Sequence, residues 1–142
     1  MTGTAGQIVR ILLVEDSDDD AFFLLRTLKS HSRFSVIFHA KDGEEALAYI
    51  EGRKDFANRA EYPLPDVMIL DLKMPNQNGF DVLEQLQGRT PRPKVIVYTS
   101  SDEPRDVSRA FALGCDAFQT KSGDPHKVAA FIESLSRLAA GK

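Results

Sequence analysis

The sequence contains little of what marks a secreted, membrane-bound or nucleic-acid-binding protein. Its single cysteine, Cys115, excludes an internal disulfide and favours a reducing compartment. No apolar run approaches the roughly 20 residues that cross a bilayer, and the first residues are not typical of a signal peptide. The net charge of -3 gives no basic footprint for nucleic acid. We therefore expect a cytoplasmic protein with neither a membrane nor a nucleic-acid partner.

What is present is the composition of an ordinary globular domain. The 142 residues are 42% hydrophobic and 27% charged, which suits one domain with one substantial core. We predict a flexible N-terminus over residues 1–7 and a single domain over residues 8–142. Short strand-like runs alternate with amphipathic helical stretches, and this alternation favours a parallel sheet covered on both faces.

Five apolar runs have the length of buried strands. They are predicted at Val9–Glu15, Phe34–Ala40, Asp66–Asp71, Val95–Tyr98 and Asp116–Thr120. Right-handed crossovers leave few arrangements for five strands that alternate with five helices. The prediction is an α/β fold of the flavodoxin-like, doubly wound type: a five-stranded parallel sheet in the order 2-1-3-4-5 with five helices.

Helix-start signals precede each helical stretch. Ser17 or Asp18 caps the first helix, Asp42 and Glu45 form a capping box for the second, and Pro104 suits the first turn of the fourth. The apolar residues expected inside are Ala46, Leu47 and Ile50 of the second helix and Val128, Ile132 and Leu135 of the last, with Phe131 and Leu138 alongside. Residues 52–65 are predicted to be a long polar connection, and residues 75–79 a turn.

Polar side chains follow four of these strands, at the point where each apolar run stops. The residues concerned are Glu15 and Asp16, Asp71, Thr99 and Ser100, and Lys121. Ligands of open parallel sheets bind at the carboxyl ends of the strands. We therefore expect carboxylates, a hydroxyl and an ammonium to meet at one edge.

The first and third strands are neighbours in this order, so Asp16 and Asp71 would face one crevice beside Glu15. Two carboxylates at about 5 Å repel by roughly 3 kcal/mol at an effective dielectric constant near 20. Such a group is stable only with a cation, and hard oxygen ligands favour Mg²⁺ over Zn²⁺. This set of residues suits phosphoryl transfer: Asp71 would attack a phosphorus, and Lys121 would pair with the transferred group.

These segments resemble bacterial two-component response regulator receiver domains. The resemblance extends from about Ile8 to Leu138, and its most specific block is the Asp-Leu-Lys-Met-Pro run of residues 71–75 with Gly79. The long connection before the third strand and the Thr-Ser-Ser run of residues 99–101 resemble the single-domain subgroup that partners phytochrome-type histidine kinases.

The resemblance implies a role for each residue of the pocket. Asp71 would accept phosphate from a phosphohistidine, and Asp16 and Asp71 would bind Mg²⁺ directly. Glu15 would bind Mg²⁺ through water, and Lys73 through its backbone carbonyl. The phosphoryl-binding and switch group would be Thr99, Ser100, Lys121 and Phe118, the last being the rotating aromatic.

Two positions depart from the family pattern. Ser122 stands where the family carries a proline after a cis peptide bond, and that bond costs roughly 2.5–4 kcal/mol before a non-proline residue. The loop after the fifth strand is therefore expected to take another path, which bears on the position of Lys121. Lys73 places a bulky cation beside the phosphorylation site.

The implied function is that of a non-enzymatic phosphoacceptor that switches protein interactions or passes phosphate along a relay. The implied partners are a sensor histidine kinase, a histidine phosphotransfer protein and a second copy of the chain. The alternatives are a degenerate receiver that binds a partner without phosphorylation, and an aspartyl-phosphate hydrolase of the haloacid dehalogenase type. The hydrolase would need a second aspartate at position 73, where this chain has lysine.

Overall fold

The apolar runs of the sequence form the five predicted strands. The computed structural model describes residues 7–74 and 78–140, and all strands in this part of the chain are parallel. Their order, β2-β1-β3-β4-β5, confirms the predicted doubly wound sheet. The bounds are Val9–Val14 (β1), Phe34–Ala40 (β2), Val67–Leu70 (β3), Lys94–Thr99 (β4) and Ala117–Thr120 (β5).

Five α-helices cover the two faces of the sheet. They are Asp18–Lys29 (α1), Gly43–Glu51 (α2), Gly79–Leu86 (α3), Pro104–Ala112 (α4) and Pro125–Ala140 (α5). Successive strand residues face opposite sides, so β1 sends Ile11 and Leu13 toward α1 and α5, and Leu12 and Val14 toward α2 and α3. None of the helices in the described ranges has the length and apolar character needed to cross a bilayer.

The helix starts follow the sequence signals with one correction. The Ser17 side chain accepts a hydrogen bond from the Asp20 N–H, which confirms the cap of α1. At α2, Asp42 accepts from the Glu45 N–H at 2.8 Å, but the Glu45 carboxylate accepts from the Lys41 N–H instead of closing the predicted box. The backbone of Asp42 is extended, and the Glu45 side chain bonds to the N–H one residue before the cap.

The predicted inner face of α5 is confirmed at Leu135 and needs correction in the preceding turns. Phe131 and Leu135 are buried, whereas Val128 and Ile132 are only half-buried. The Phe131 ring lies 4.5 Å from the ring of Tyr98, measured between centroids. Contact with this large residue of β4 orients the helix, so Phe131 takes the place that periodicity alone gave to Val128 and Ile132.

The connection over residues 52–65 folds onto α2. It contains a short 3-10 helix at Lys54–Phe56, and Phe56 and Tyr62 pack against Tyr49. The Tyr49 hydroxyl donates to the carbonyl of Pro63 at 2.8 Å. This connection therefore carries part of the core. The predicted turn of residues 75–79 falls largely on residues 75–77, and with the N-terminal residues 1–6 these lie outside the described residues.

Candidate functional site

The ends of β1 and β3 bring three carboxylates together. Register pairs Val14 with Leu70, and the Asp71 N–H donates to the Val14 carbonyl at 3.1 Å, so the residues after these strands lie side by side. One carboxylate oxygen from each of Glu15, Asp16 and Asp71 lies within 4.8 Å of the others. Glu15 and Asp71 are buried and Asp16 is exposed. The predicted acidic pocket is present.

Lys121 reaches this pocket from the end of β5. Its N–H donates to the Thr99 carbonyl at 2.7 Å, and its Nζ lies 3.0 Å from Glu15 Oε1 and 3.2 Å from Asp71 Oδ2. The only cis peptide bond among the described residues is Thr90–Pro91, so the bond between Lys121 and Ser122 is trans. The lysine therefore reaches the acidic pocket without the family's cis proline.

The third partner of Lys121 was missed by sequence reasoning. Asp20 Oδ2 lies 2.7 Å from Lys121 Nζ, the shortest of the three contacts. The sequence explains Asp20 as part of the acidic first turn of α1, where negative charge favours the helix dipole. No local signal connects residue 20 to residue 121, because the contact depends on how α1 and β5 meet in the folded sheet.

Burial and charge shift the protonation equilibria of this group. Burial raises the pKa of Glu15 to about 7; the hydrogen bond from Lys121 opposes this shift, and the charge of Asp71 adds to it. For Lys121, burial alone would lower the pKa, but hydrogen bonds to Asp20 and Glu15 and the charge of Asp71 outweigh it and raise the pKa. Three carboxylates, those of Glu15, Asp20 and Asp71, contact the single ammonium of Lys121.

The acidic group fits a divalent cation by its donor chemistry. Its ligands are carboxylate oxygens, which Mg²⁺ and Mn²⁺ prefer, and neither sulfur nor imidazole belongs to the group. The exposed carboxylate of Asp16 opens the group to solvent, and Mg²⁺ typically retains several waters.

Thr99 ends β4 with a buried hydroxyl. Thr99 is fully buried, and its Oγ1 has no hydrogen-bond partner within the described part of the chain. Unsatisfied buried polar groups are uncommon in folded proteins. The neighbouring Ser100 is exposed, and Phe118 is half-buried on β5 opposite Val97. Thr99 is therefore available to a group that enters the pocket.

Lys73 contacts α4 through its side chain. Its backbone N–H donates to Asp71 Oδ1 at 3.2 Å, while its Nζ lies 3.6 Å from Asp106 Oδ2. The Ser101 hydroxyl donates to the same Asp106 oxygen, and this bond, with the charge of Lys73, lowers the pKa of Asp106. Sequence reasoning missed Asp106, because an acidic residue in a first helical turn gives no sign of such a contact.

Gly79 explains part of the motif that follows Asp71. A Cβ atom at this position would lie 2.5 Å from the Asp71 carbonyl oxygen and 2.8 Å from Leu72 Cα. The Gly79 N–H donates to the Leu72 carbonyl at 3.0 Å. Only glycine allows the start of α3 to approach this closely, and the approach fixes the backbone beside Asp71.

Comparison with known proteins gives close matches over most of the chain. Response regulator Rcp1 of Synechocystis is 31% identical over 130 residues, which cover 88% of this chain and 86% of Rcp1. The alkaline phosphatase synthesis transcriptional regulatory protein PhoP of Bacillus subtilis is 31% identical over 126 residues, or 89% of this chain. The match covers 48% of PhoP, so the chain spans about half the length of that relative.

Solved structures of response regulators are similar to this chain in fold as well. The bacteriophytochrome response regulator RtBRR is 36% identical with a TM-score of 0.74, over 91% of this chain and 78% of that one. The Mn²⁺-bound form of Rcp1 is 26% identical with a TM-score of 0.75, over 90% and 91% of the two chains. The predicted resemblance to phytochrome-associated regulators is confirmed.

The family comparison covers the pocket and all of the sheet except the first two residues of β1. The sequence profile of the response regulator receiver domain matches residues 11–133, a range that begins in β1 and ends in α5. It includes Glu15, Asp16, Asp71 and Lys121. The chain therefore belongs to the response regulator receiver domain family of two-component systems.

Proposed function

We propose that the chain accepts a phosphoryl group on Asp71 from a histidine kinase and then switches protein interactions or passes the phosphate on in a relay. The observation that carries this proposal is the contact of Lys121 Nζ with Asp71 Oδ2 beside two further carboxylates. An ammonium in this position can pair with phosphoryl oxygens as they arrive. Aspartate is an established nucleophile in such transfers.

Asp71 supplies the nucleophile of the reaction. One of its oxygens forms a bond to phosphorus while the phosphorus–nitrogen bond of the phosphohistidine breaks, and the imidazole leaves with the electron pair. Glu15, Asp16 and Asp71 would hold a magnesium ion, with Lys73 contributing its backbone carbonyl. When bound, this ion neutralises charge on the transferring group. Lys121 pairs with the phosphoryl oxygens from the side of β5.

The switch begins at Thr99. Phosphorylation adds about -1.5 to -2 charges at pH 7 and three acceptor oxygens. The Thr99 hydroxyl, which has no partner among the described residues, supports a role as donor to one of these oxygens, with the exposed Ser100 next in the chain. Movement of Thr99 allows the half-buried Phe118 to follow and reshapes the surface formed by α4, β5 and α5.

The surface formed by α4, β5 and α5 and the names of the relatives support the proposed partners. The name of RtBRR, a bacteriophytochrome response regulator, supports a sensor histidine kinase of the phytochrome type as phosphate donor. Phe111 of α4 is 48% exposed, and with Phe118 it offers an apolar surface to a second copy of the chain or to a histidine phosphotransfer protein. The chain itself acts as phosphoacceptor with slow self-dephosphorylation rather than as an enzyme.

Phosphate labelling tests the proposal. Purified chain is mixed with acetyl phosphate or a phosphorylated kinase in the presence of Mg²⁺, and the mass of the intact protein is measured. We expect one phosphate per chain in the wild type and in the control Asp55→Asn, whose exposed carboxylate lies in the 3-10 helix after α2. Asp71→Asn should remain unlabelled.

Two outcomes contradict the proposal. Stoichiometric labelling of Asp71→Asn would move the acceptor to another residue. A folded wild type that no donor labels would favour a receiver that binds its partner without phosphorylation.

A further inference from the structure

The three carboxylates that hold Lys121 belong to two different groups. Glu15 and Asp71 are also members of the group that can hold a metal ion, whereas Asp20 is not. Asp20 comes from α1 and keeps 46% of its side chain exposed, while the side chain of Glu15 is 1% exposed. Lys121 thus has two contacts inside the acidic group and one outside it.

A divalent cation in the acidic group changes the balance of these contacts. The cation takes up the negative charge of Glu15 and Asp71, and its own charge repels the ammonium of Lys121. Among the described residues that contact Lys121 Nζ, only Asp20 then remains as an uncommitted anion. The metal-loaded pocket therefore depends on Asp20 to keep the ammonium close.

The start of α1 holds Asp20 firmly in place. The Asp20 N–H donates to Ser17 Oγ at 3.2 Å, and the Ser17 N–H donates to Glu15 Oε2 at 3.2 Å. The loop after Lys121 has contacts of its own, since the Ser122 hydroxyl accepts from the Asp124 N–H at 3.0 Å, but this contact does not involve the ammonium. In this chain the ammonium is fixed from the side of α1.

We propose that Asp20 is a positioning residue that retains the Lys121 ammonium beside Asp71 after Mg²⁺ has bound Glu15 and Asp71. The effect of Asp20 on phosphoryl transfer rests on the proposed function, whereas its effect on the position of Lys121 does not. Asp20 touches neither metal nor phosphate and acts through Lys121 alone. In this chain Ser122 stands where the family pattern has a proline.

Nitrogen-15 NMR of the lysine ammonium groups tests the positioning directly. Lys121→Arg identifies the Lys121 signal by its loss. We expect the signal to persist in the wild type without and with Mg²⁺, because a hydrogen-bonded ammonium exchanges slowly with water. In Asp20→Asn it should persist without metal, held by Glu15 and Asp71, and disappear when Mg²⁺ is added. Asp19→Asn, in the same turn and exposed, should behave as the wild type.

Either of two NMR results overturns the proposal. One is a Lys121 signal that survives Mg²⁺ in Asp20→Asn, which would mean that other groups hold the ammonium. The other is a signal that the wild type itself loses when Mg²⁺ is added, which would mean that Asp20 does not hold it.

Labelling by acetyl phosphate tests the effect of Asp20 on phosphoryl transfer. Asp20→Asn should slow labelling by about tenfold, since a misplacement of about 1 Å can cost up to about 10²-fold in rate. Asp20→Glu should restore part of the rate, and Asp20→Asn should have no further effect in a Lys121→Ala background. If the wild type is labelled and Asp20→Asn matches it, the positioning role fails while the proposed function stands. If the wild type is never labelled, the proposed function fails and the NMR result still decides the role of Asp20.

Discussion

The acidic pocket and the aromatic cluster beside α2 both withdraw side chains from water, yet burial has opposite consequences in them. The pocket withdraws Glu15 and Asp71 from water with Lys121 as their cation, which is costly for the metal-free fold. In the cluster, burial is favourable and stabilises the fold. Its members have ring centroids 5.0 to 6.1 Å apart: Phe38, Tyr49, Phe56 and Tyr62. Chemistry and stability thus reside in separate parts of one sheet.

Tyr49→Ala is the most severe test of this separation. Tyr49 is fully buried and contacts the three other rings. Truncating a buried aromatic residue costs about 3–5 kcal/mol of unfolding free energy. We expect a loss of this size in urea titrations at a temperature where the variant still folds, with the phosphate labelling rate of the folded fraction unchanged. A labelling defect in folded Tyr49→Ala would show that the two regions are coupled.

The pH dependence of stability tests the pocket. Burial raises the pKa of Glu15 from 4.5 to about 7, so the folded metal-free protein retains a proton that the unfolded chain has lost. This contribution is complete below the unfolded pKa and disappears as pH rises through the folded one. Between these values the unfolding free energy of the metal-free protein should fall by up to about 3 kcal/mol.

Glu15→Gln isolates this contribution from the histidines, because it removes one carboxyl and leaves the other groups in place. The variant should lack the decline, and the difference between the two pH profiles gives its size. Equal slopes for wild type and Glu15→Gln in chelator-treated samples would mean that the carboxyl has its ordinary pKa in the folded protein.

Tyr49→Phe sharpens the description of the aromatic cluster. It keeps the ring and removes the hydroxyl that donates to the Pro63 carbonyl. A neutral hydrogen bond contributes about 1 kcal/mol, so we expect a destabilisation of this order in the same titrations. A loss as large as that of Tyr49→Ala would assign the stability to the hydroxyl rather than to ring packing.

Glu133→Gln gives the smallest expected effect and sets the baseline. Its carboxylate pairs with Arg137 one turn later in α5, and both side chains are mostly exposed. Exposed pairs of this kind contribute less than about 0.5 kcal/mol and weaken with salt. The melting temperature and the labelling rate should therefore stay close to those of the wild type. A larger drop in melting temperature would indicate that the stability of α5 depends on surface charge and not mainly on the burial of Phe131 and Leu135.

Strand order and the acidic group were predictable from the sequence, because both follow from local patterns. The strands end where their apolar runs meet Glu15, Asp71 and Thr99, and parallel topology then brings those ends together. Periodicity also predicted the buried Ala46, Leu47 and Ile50 of α2.

Contacts between distant segments were not predictable. Tyr49 was passed over because its partners Phe56 and Tyr62 lie in a connection whose polar composition hides its packing. Phe131 displaced Val128 and Ile132 because Tyr98 of another element orients α5. Asp20 and Asp106 lie in acidic first turns, where helix-dipole chemistry already accounts for them, and only the folded sheet reveals their lysine partners.

A Mg²⁺ titration of the metal-free chain, followed through its backbone amide NMR signals, tests the cation requirement of the pocket most directly. We predict that the signals of Glu15, Asp16, Asp71 and Lys73 move together and saturate as a single site, and that Asp71→Asn weakens this binding severalfold. Signals that stay fixed while Mg²⁺ is raised over folded wild-type protein would contradict this prediction, since the three carboxylates would then share the pocket with Lys121 and without a metal ion.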